Sequence, residues 1–176
     1  LSAGAWSNDT YWTPSGNSAN ATIGNPEWGG LLNSAGSWGA RVPLLNNPPN
    51  AFIETRVKSA PISGGDWQQI GLLRRDDVAG QGIYLKFYRA SSTTAYIGLS
   101  SPTYIWTGTD TGTFTVADSS NFTVRLEVYG YIVRAYIDGV LLLTVTTNGA
   151  PIHGGSAYLE STSSTTSLRY LQAGTL

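Results

Sequence analysis

The residues that could carry acid–base chemistry are few, and their local spacing does not pair them. The chain has four glutamates, each among neutral or basic neighbours: Glu27, Glu54, Glu127 and Glu160. Hydrolysis by two carboxylates requires the pair to lie roughly 5–10 Å apart. Glu54 and Glu127 would meet only if their strands are neighbours in a sheet, which the sequence leaves open. No catalytic residue is therefore predicted.

Other catalytic and metal chemistry has equally little support. His153 is the only histidine, no Gly-x-Ser-x-Gly motif occurs, and there is no cysteine. A Ser-His-Asp triad, a zinc site and a disulfide are therefore not expected. Calcium takes six to eight oxygen ligands, many of them backbone carbonyls, and so leaves little trace in a sequence. We expect no cofactor, and a single structural calcium ion stays open as an alternative.

Aromatic residues are the more informative group, with 6 Trp and 10 Tyr. Sugars present apolar C–H faces edged by hydroxyls, which proteins contact with exposed rings and planar polar groups. The candidate ligand-binding residues are Trp67, Gln69, Arg74, Tyr84, Lys86, Tyr88, Tyr96 and Trp106. A purely structural role stays open, because a cross-strand aromatic pair stabilises a sheet by about 0.2–1 kcal/mol without any ligand.

Alternating apolar and polar residues predict the strands that must position these side chains. The clearest alternation runs through 51–58, 83–88 and 121–128. Asp138-Gly139 predicts a type I′ hairpin turn and Tyr129-Gly130-Tyr131 predicts another turn, which gives three consecutive antiparallel strands. Further strands are predicted at 156–160 and 168–173.

Composition favours one all-β domain covering residues 1–176. The chain is 41% hydrophobic but only 12% charged, with 21 Gly, which fits strands joined by many turns. About a dozen short strands imply two packed sheets, because a single sheet would leave one apolar face in water. The predicted fold is a two-sheet antiparallel jelly-roll sandwich. No apolar run reaches the roughly 20 residues of a membrane-spanning helix, and a net charge of −1 indicates no nucleic-acid partner.

The segment 121–147 resembles the concanavalin A-like lectin/glucanase domains, which include laminin-G-like modules. The resemblance is carried by the runs VRLEV (124–128), Gly130, AYIDG (135–139) and VLLL (140–143). It implies a jelly roll that closes through 154–157 and a last strand at 168–173. Many relatives place Asp or Asn in that last strand, near a structural calcium, whereas this chain reads SLRYL (167–171). The Glu-x-Asp-x-x-Glu strand of family-16-like glucanases is also absent.

Together these observations predict a non-catalytic module rather than an enzyme. We expect a lectin-like, carbohydrate-binding or adhesion part of a larger protein at an extracellular or virion surface, with a glycan or polysaccharide as partner. One alternative is a phage virion structural, decoration or tail-fibre domain that assembles with other virion or cell-surface subunits. A second alternative is a glycoside hydrolase, which requires two carboxylates facing each other in a groove.

Overall fold

The computed structural model describes most of the predicted strands and the turns between some of them. The described residues are 4–5, 13–15, 21–23, 31–33, 38–43, 50–58, 68–73, 82–89, 91, 93–101, 105–115, 121–148, 156–161 and 167–176. Side chains are described within 50–57, 70–72, 82–88, 91, 93–101, 107–115, 122–148 and 173–176. The part of the chain so described is almost entirely β-strand and contains no helix long and apolar enough to span a membrane.

Sixteen strands are described. In chain order they are β1 (Gly4–Ala5), β2 (Thr13–Ser15), β3 (Ala21–Ile23), β4 (Leu31–Asn33), β5 (Trp38–Pro43), β6 (Asn50–Lys58), β7 (Gln68–Leu73), β8 (Gly82–Arg89), β9 (Thr94–Ser100), β10 (Ile105–Thr109), β11 (Thr111–Thr115), β12 (Asn121–Tyr129), β13 (Ile132–Ile137), β14 (Val140–Asn148), β15 (Ser156–Ser161) and β16 (Ser167–Thr175).

The strands form two sheets. Sheet A has nine strands in the order β1-β3-β4-β16-β6-β12-β13-β14-β10, and sheet B has seven in the order β11-β9-β8-β7-β15-β5-β2. Neighbouring strands pair antiparallel in both sheets. The predicted all-β, two-sheet antiparallel sandwich is confirmed. The predicted strands near the carboxyl end also form, but β15 joins sheet B whereas β16 joins sheet A.

The core lies between the two sheets, where the predicted alternation buries one side of each strand. Ile83, Leu85 and Phe87 of β8 have no exposed surface, and Ile53 and Leu126 of sheet A are equally buried. Apolar residues of both sheets form a single cluster. Because the side-chain period of a strand is two, burying this set directs the intervening residues outward.

Aromatic contacts join the two sheets across the core. Phe122 of sheet A meets Phe87 of sheet B edge to face, with ring centroids 6.3 Å apart. It also meets Phe114 of sheet B, at 5.2 Å. These contacts link the two sheets near the carboxyl end of β8.

The two predicted turns form as the residue types require. Asp138 and Gly139 have φ of 49° and 78°, the positive values that a type I′ turn needs at both central positions. Between β12 and β13 the strands close at Tyr129 and Ile132. Gly130 there has φ of 59°, as expected for the first central residue of a type II′ turn.

Candidate functional site

The outer face of sheet B carries a polar strand surface at β8. Tyr84, Lys86 and Tyr88 are each half-buried and alternate with the fully buried Ile83, Leu85 and Phe87, so they lie on the opposite side of the strand. Since β8 lies between β7 and β9 within the sheet, a neighbouring strand borders these three side chains on each side. The three side chains therefore belong to a surface rather than to an edge.

Tyr96 completes this surface from the neighbouring strand. It lies directly opposite Tyr88 in the pairing of β8 and β9, and the two rings stack with centroids 5.0 Å apart and planes at 28°. We call Tyr84, Lys86, Tyr88 and Tyr96 the tyrosine–lysine face. The structure thus brings together four of the eight residues that the sequence nominated.

Two glycines leave room for these rings. A Cβ atom on Gly71 would lie 2.9 Å from Cδ1 of Tyr84, and one on Gly98 would lie 2.7 Å from the Tyr96 hydroxyl oxygen. Real Cβ atoms essentially never approach that closely, so both rings extend over bare backbone. The missing side chains at Gly71 and Gly98 therefore make room for the Tyr84 and Tyr96 rings.

The backbone register defines a row through the middle of the face. Lys86 pairs with Gln69 on one side and with Gly98 on the other. Gln69 in turn pairs with Glu160 of β15. Glu160 is the only acidic residue in the seven strands of sheet B, and sequence reasoning did not select it, because nothing local indicates that β15 pairs with β7.

The other four nominated residues differ in where the structure places them. Trp106 belongs to β10, the edge strand of sheet A, and pairs with Thr147, so its backbone does not share the sheet of Tyr84 and Lys86. Gln69 lies in β7, directly beside β8. Trp67 and Arg74 lie outside the described residues, as does His153.

Electrostatics at Tyr96 favour the protonated phenol. Burial is the largest effect and raises the pKa of Tyr96, and the nearby Tyr88 and Asp110 raise it further. Tyr96 therefore keeps its hydroxyl proton at neutral pH and can donate a hydrogen bond.

Glu54 and Glu127 lie on the outer face of sheet A, where Arg125 contacts both of them. Arg125 donates from Nε to Oε1 of Glu127 at 2.7 Å and from Nη1 to Oε2 of Glu54 at 3.3 Å. Its guanidinium carbon also lies 4.1 Å from the ring centroid of Phe52. A single guanidinium thus engages both carboxylates. We therefore interpret this cluster as a cross-strand ion network rather than a hydrolytic pair.

Tyr136 borders the same network. Burial is the largest cause of its raised pKa, followed by a hydrogen bond and charge interaction with Glu127, while Arg134 acts in the opposite sense. Within the described part of the chain, no three Asp, Glu or His side chains come together as a metal site. The structural calcium ion stays an untested prediction.

Comparison with known proteins identifies the fold. No protein-family model matches the sequence, and no curated protein matches it. Solved structures do: an endo-β-1,3-glucanase from Pyrococcus furiosus has a TM-score of 0.67 at 16% identity, with 96% of this chain and 89% of that chain covered. A family 16 endo-glucanase from Bacteroides ovatus has a TM-score of 0.66 at 9% identity, with 96% of both chains covered.

A third match is an engineered family 43 glycoside hydrolase with endo-xylanase and exo-arabinofuranosidase activity, at a TM-score of 0.65 and 10% identity. The match covers 94% of this chain but only 38% of the family 43 enzyme. This chain therefore spans little more than a third of that enzyme. The three matches together show the concanavalin A-like jelly roll that segment 121–147 predicted.

The same comparisons correct the functional expectation. The predicted non-catalytic module, and with it the prediction that the chain is no enzyme, is contradicted by neighbours described as glycoside hydrolases. The glycoside hydrolase alternative fits these neighbours better, and the phage structural alternative has no counterpart among the three. The prediction had rested on the absence of a Glu-x-Asp-x-x-Glu strand and on glutamates that the sequence alone could not place opposite one another.

Proposed function

We propose that this chain is a glycoside hydrolase domain whose polysaccharide substrate lies across the outer face of sheet B. The observation that carries the proposal is the tyrosine–lysine face itself. It places aromatic rings on the outer surface of a sandwich whose structural neighbours are described as acting on polysaccharides. Because such polymers lie outside cells, the proposal includes an extracellular site of action.

The stacked pair Tyr88 and Tyr96 forms the sugar platform. Ring faces and edges contact the C–H surface of a pyranose, while hydroxyls and an ammonium group can hydrogen-bond its rim. Gln69 lies in the adjacent strand at the level of Lys86. Trp67 precedes β7 and Arg74 follows it, so these two residues are proposed to extend the platform at the two ends of that strand. Trp106 is left out, because its backbone belongs to sheet A.

Glu160 is proposed as the general acid. Cleavage of a glycosidic bond requires a carboxylic acid to protonate the leaving oxygen, and Glu160 is the only acidic residue in the strands of sheet B. Its register partner Gln69 separates it from Lys86. With strands about 4.8 Å apart, this places Glu160 about 10 Å along the row from Lys86. A polysaccharide bound on the rings can span that distance.

The second carboxylate is proposed to come from a connection next to β7. The sequence carries Asp66 just before this strand and Asp76 and Asp77 just after it. A water-activating base or a nucleophile from either connection would act on the sugar face opposite the acid, and the separation of the two carboxylates would determine whether configuration is inverted or retained.

The test measures reducing-sugar release from a panel of neutral and acidic polysaccharides. Loss of a general acid typically costs about 100- to 10,000-fold in rate, so Glu160→Gln should lower hydrolysis by at least about 100-fold while the melting temperature stays close to that of the wild type. Glu54→Gln is the matched control, because it removes one carboxylate from the opposite sheet and should leave the rate unchanged.

Two results would contradict the proposal. If the wild-type protein releases no product from any polysaccharide of the panel, the hydrolase function is wrong. If the wild type is active and Glu160→Gln is equally active, the function stands and the assignment of Glu160 is wrong. Asp66→Asn, Asp76→Asn and Asp77→Asn then identify which connection supplies the second carboxylate.

A further inference from the structure

We infer that the chain forms a two-fold symmetric dimer in which β11 pairs antiparallel with β11 of a second copy. This inference goes beyond the proposed function and does not depend on it. It assigns an interaction surface to Thr111–Thr115, the strand that borders the tyrosine–lysine face.

Within the part of the chain that the structure describes, the two sheets end in four edge strands, and three of them have a feature that hinders pairing. β1 has two residues, and β2 has three and contains Pro14. β10 contains Gly108 at a φ of 125°, where a Cβ would collide with the carbonyl oxygen of Thr144. Short strands, proline and local distortion all protect a sheet edge against a further strand.

β11 has none of these features. Its five residues pair with β9 alone among the described strands. None of them has a positive φ, and their sequence, TGTFT, contains neither proline nor a charged residue. The backbone N–H and C=O groups on the outer side of such an edge strand are a template for pairing with another chain.

The sequence of β11 is complementary to itself. In an antiparallel pair centred on Thr113, this residue faces its own copy, Thr111 faces Thr115, and Gly112 faces Phe114. The three threonines are exposed, while Gly112 and Phe114 lie on the core side of the strand. Threonine pairs stabilise a sheet, and an aromatic ring opposite an edge glycine does so as well. A second copy therefore suits both sides of the strand.

Electrostatics also favour a second copy as the partner. β11 has no charge that would repel its own copy, and the net charge of the whole chain is only −1. Such a small net charge does little to keep identical chains apart. The strand likewise offers no charged group that would select a partner of opposite sign.

Pairing through β11 would place both tyrosine–lysine faces on one side of a joined sheet, because the two-fold axis of an antiparallel strand pair is perpendicular to the sheet. Thr113 is the register partner of Tyr96. The Tyr96 backbones of the two copies would therefore lie three strand spacings apart, about 14 Å. The dimer would present two stacked tyrosine pairs on one continuous surface.

The test is sedimentation equilibrium of the full chain. One strand per copy is a small interface, so the measurement covers about 1 to 200 μM, and we expect the mass to rise towards that of two chains. Thr113→Lys places like charges directly opposite each other and should raise the dimer dissociation constant at least about 10-fold. Thr146→Lys is the matched control, because Thr146 is exposed in β14 of sheet A, and it should dimerise like the wild type.

Charge complementation shows whether Thr113 faces its own copy. An equal mixture of Thr113→Lys and Thr113→Glu should form heterodimers about as tightly as the wild type forms homodimers, because opposite charges then meet at the axis. Neither variant alone should do so. Recovery in the mixture would also show that both variants are folded.

A cysteine at the same position tests the register. The chain has no cysteine, and directly opposite residues have Cβ atoms about 4.5–5.5 Å apart, close to the separation in a disulfide. Oxidised glutathione should therefore link Thr113→Cys into a covalent dimer. Thr146→Cys should stay unlinked.

The outcomes separate this inference from the proposed function. A wild type that stays monomeric throughout the concentration range would overturn the inference. A dimer that Thr113→Lys leaves intact, that Thr146→Lys weakens equally, or that the charge mixture does not restore would overturn it as well. The hydrolase proposal is judged by product release alone, so a dimer that cleaves no polysaccharide would uphold this inference and contradict the hydrolase.

Discussion

Tyr88 and Tyr96 lie directly opposite each other on β8 and β9, with their rings stacked at 5.0 Å on the outer side of the sheet. The preceding residue of β8 and the following residue of β9, Phe87 and Ile97, are also register partners and are fully buried. The same two strands therefore build the core with one side and the candidate binding surface with the other. Packing of Phe87 and Ile97 in the core therefore also fixes the strands that carry the stacked tyrosines.

Removing one ring of the stacked pair should weaken ligand binding. Tyr88→Ala is expected to raise the dissociation constant of a bound oligosaccharide about 10-fold, because an aromatic contact of this kind is worth about 0.5–1.5 kcal/mol beyond the area it buries. Tyr131→Ala is the control, since Tyr131 is 47% exposed in the β12–β13 turn. Equal losses in the two variants, measured by titration calorimetry, would contradict a role for the pair.

Gly98 and Gly71 should respond differently to replacement by alanine. In Gly98→Ala the new methyl group meets the far end of the Tyr96 ring at 2.7 Å. That ring can swing away, so ligand affinity should fall severalfold while unfolding free energy changes by less than about 1 kcal/mol. In Gly71→Ala the methyl group lies 2.9 Å from Tyr84 Cδ1 and 3.0 Å from the carbonyl oxygen of Ile83.

A carbonyl oxygen within a paired strand cannot move as a side-chain tip can. Gly71→Ala should therefore destabilise the protein by about 1–2 kcal/mol, the usual scale of overpacking. Urea unfolding of both variants measures the difference. If Gly98→Ala is the less stable of the two, our interpretation of the two close approaches is wrong.

The ion network on sheet A should contribute to stability only as long as it is complete. Arg125→Met removes the cation that contacts both Glu54 and Glu127. The three side chains are only 15–25% exposed, so we expect a loss of about 1–2 kcal/mol, between the values for surface and buried pairs.

A triple variant tests the cause of that loss. Arg125→Met combined with Glu54→Gln and Glu127→Gln removes all three charges together, and its unfolding free energy should lie within about 1 kcal/mol of the wild type. If the triple variant in urea unfolding is as unstable as the single one, the loss comes from packing on Phe52 rather than from uncompensated charge.

Alkaline pH should destabilise the fold through Tyr96. Its pKa is raised above the ordinary 10.0 by burial first, then by Tyr88 and Asp110. A phenol with a raised pKa binds its proton more tightly in the folded state. Its contribution is therefore fully present below pH 10 and is lost as the pH rises through the folded-state pKa.

Replacing this phenol should flatten the alkaline part of the stability profile. The decrease in unfolding free energy between pH 9 and pH 11, measured in urea, should be smaller for Tyr96→Phe than for the wild type. Tyr131→Phe, which alters an exposed turn residue, should follow the wild-type curve. A Tyr96→Phe curve that coincides with the wild type would show that Tyr96 does not contribute.

The strands with alternating residues and the tight turns could be predicted from the sequence. Alternation in β8 indicated that Ile83, Leu85 and Phe87 face the core, and the structure buries all three completely. The Asp138-Gly139 pair likewise predicted its own turn, because few residue types tolerate positive φ there. These predictions hold because a strand's two-residue period and a turn's backbone angles depend on neighbouring residues alone.

The functional prediction depended on pairings between distant segments, and there it failed. Glu160 was passed over, although register places it in one row with Gln69 and Lys86, and Trp106 was grouped with residues of the other sheet. The sequence by itself determined which residues alternate, which side of each strand is apolar and where the tight turns lie. Only the tertiary structure decided which strands distant in the chain are neighbours, because pairing between antiparallel strands uses the same backbone groups at every position and, without a connecting hairpin turn, has no local signature.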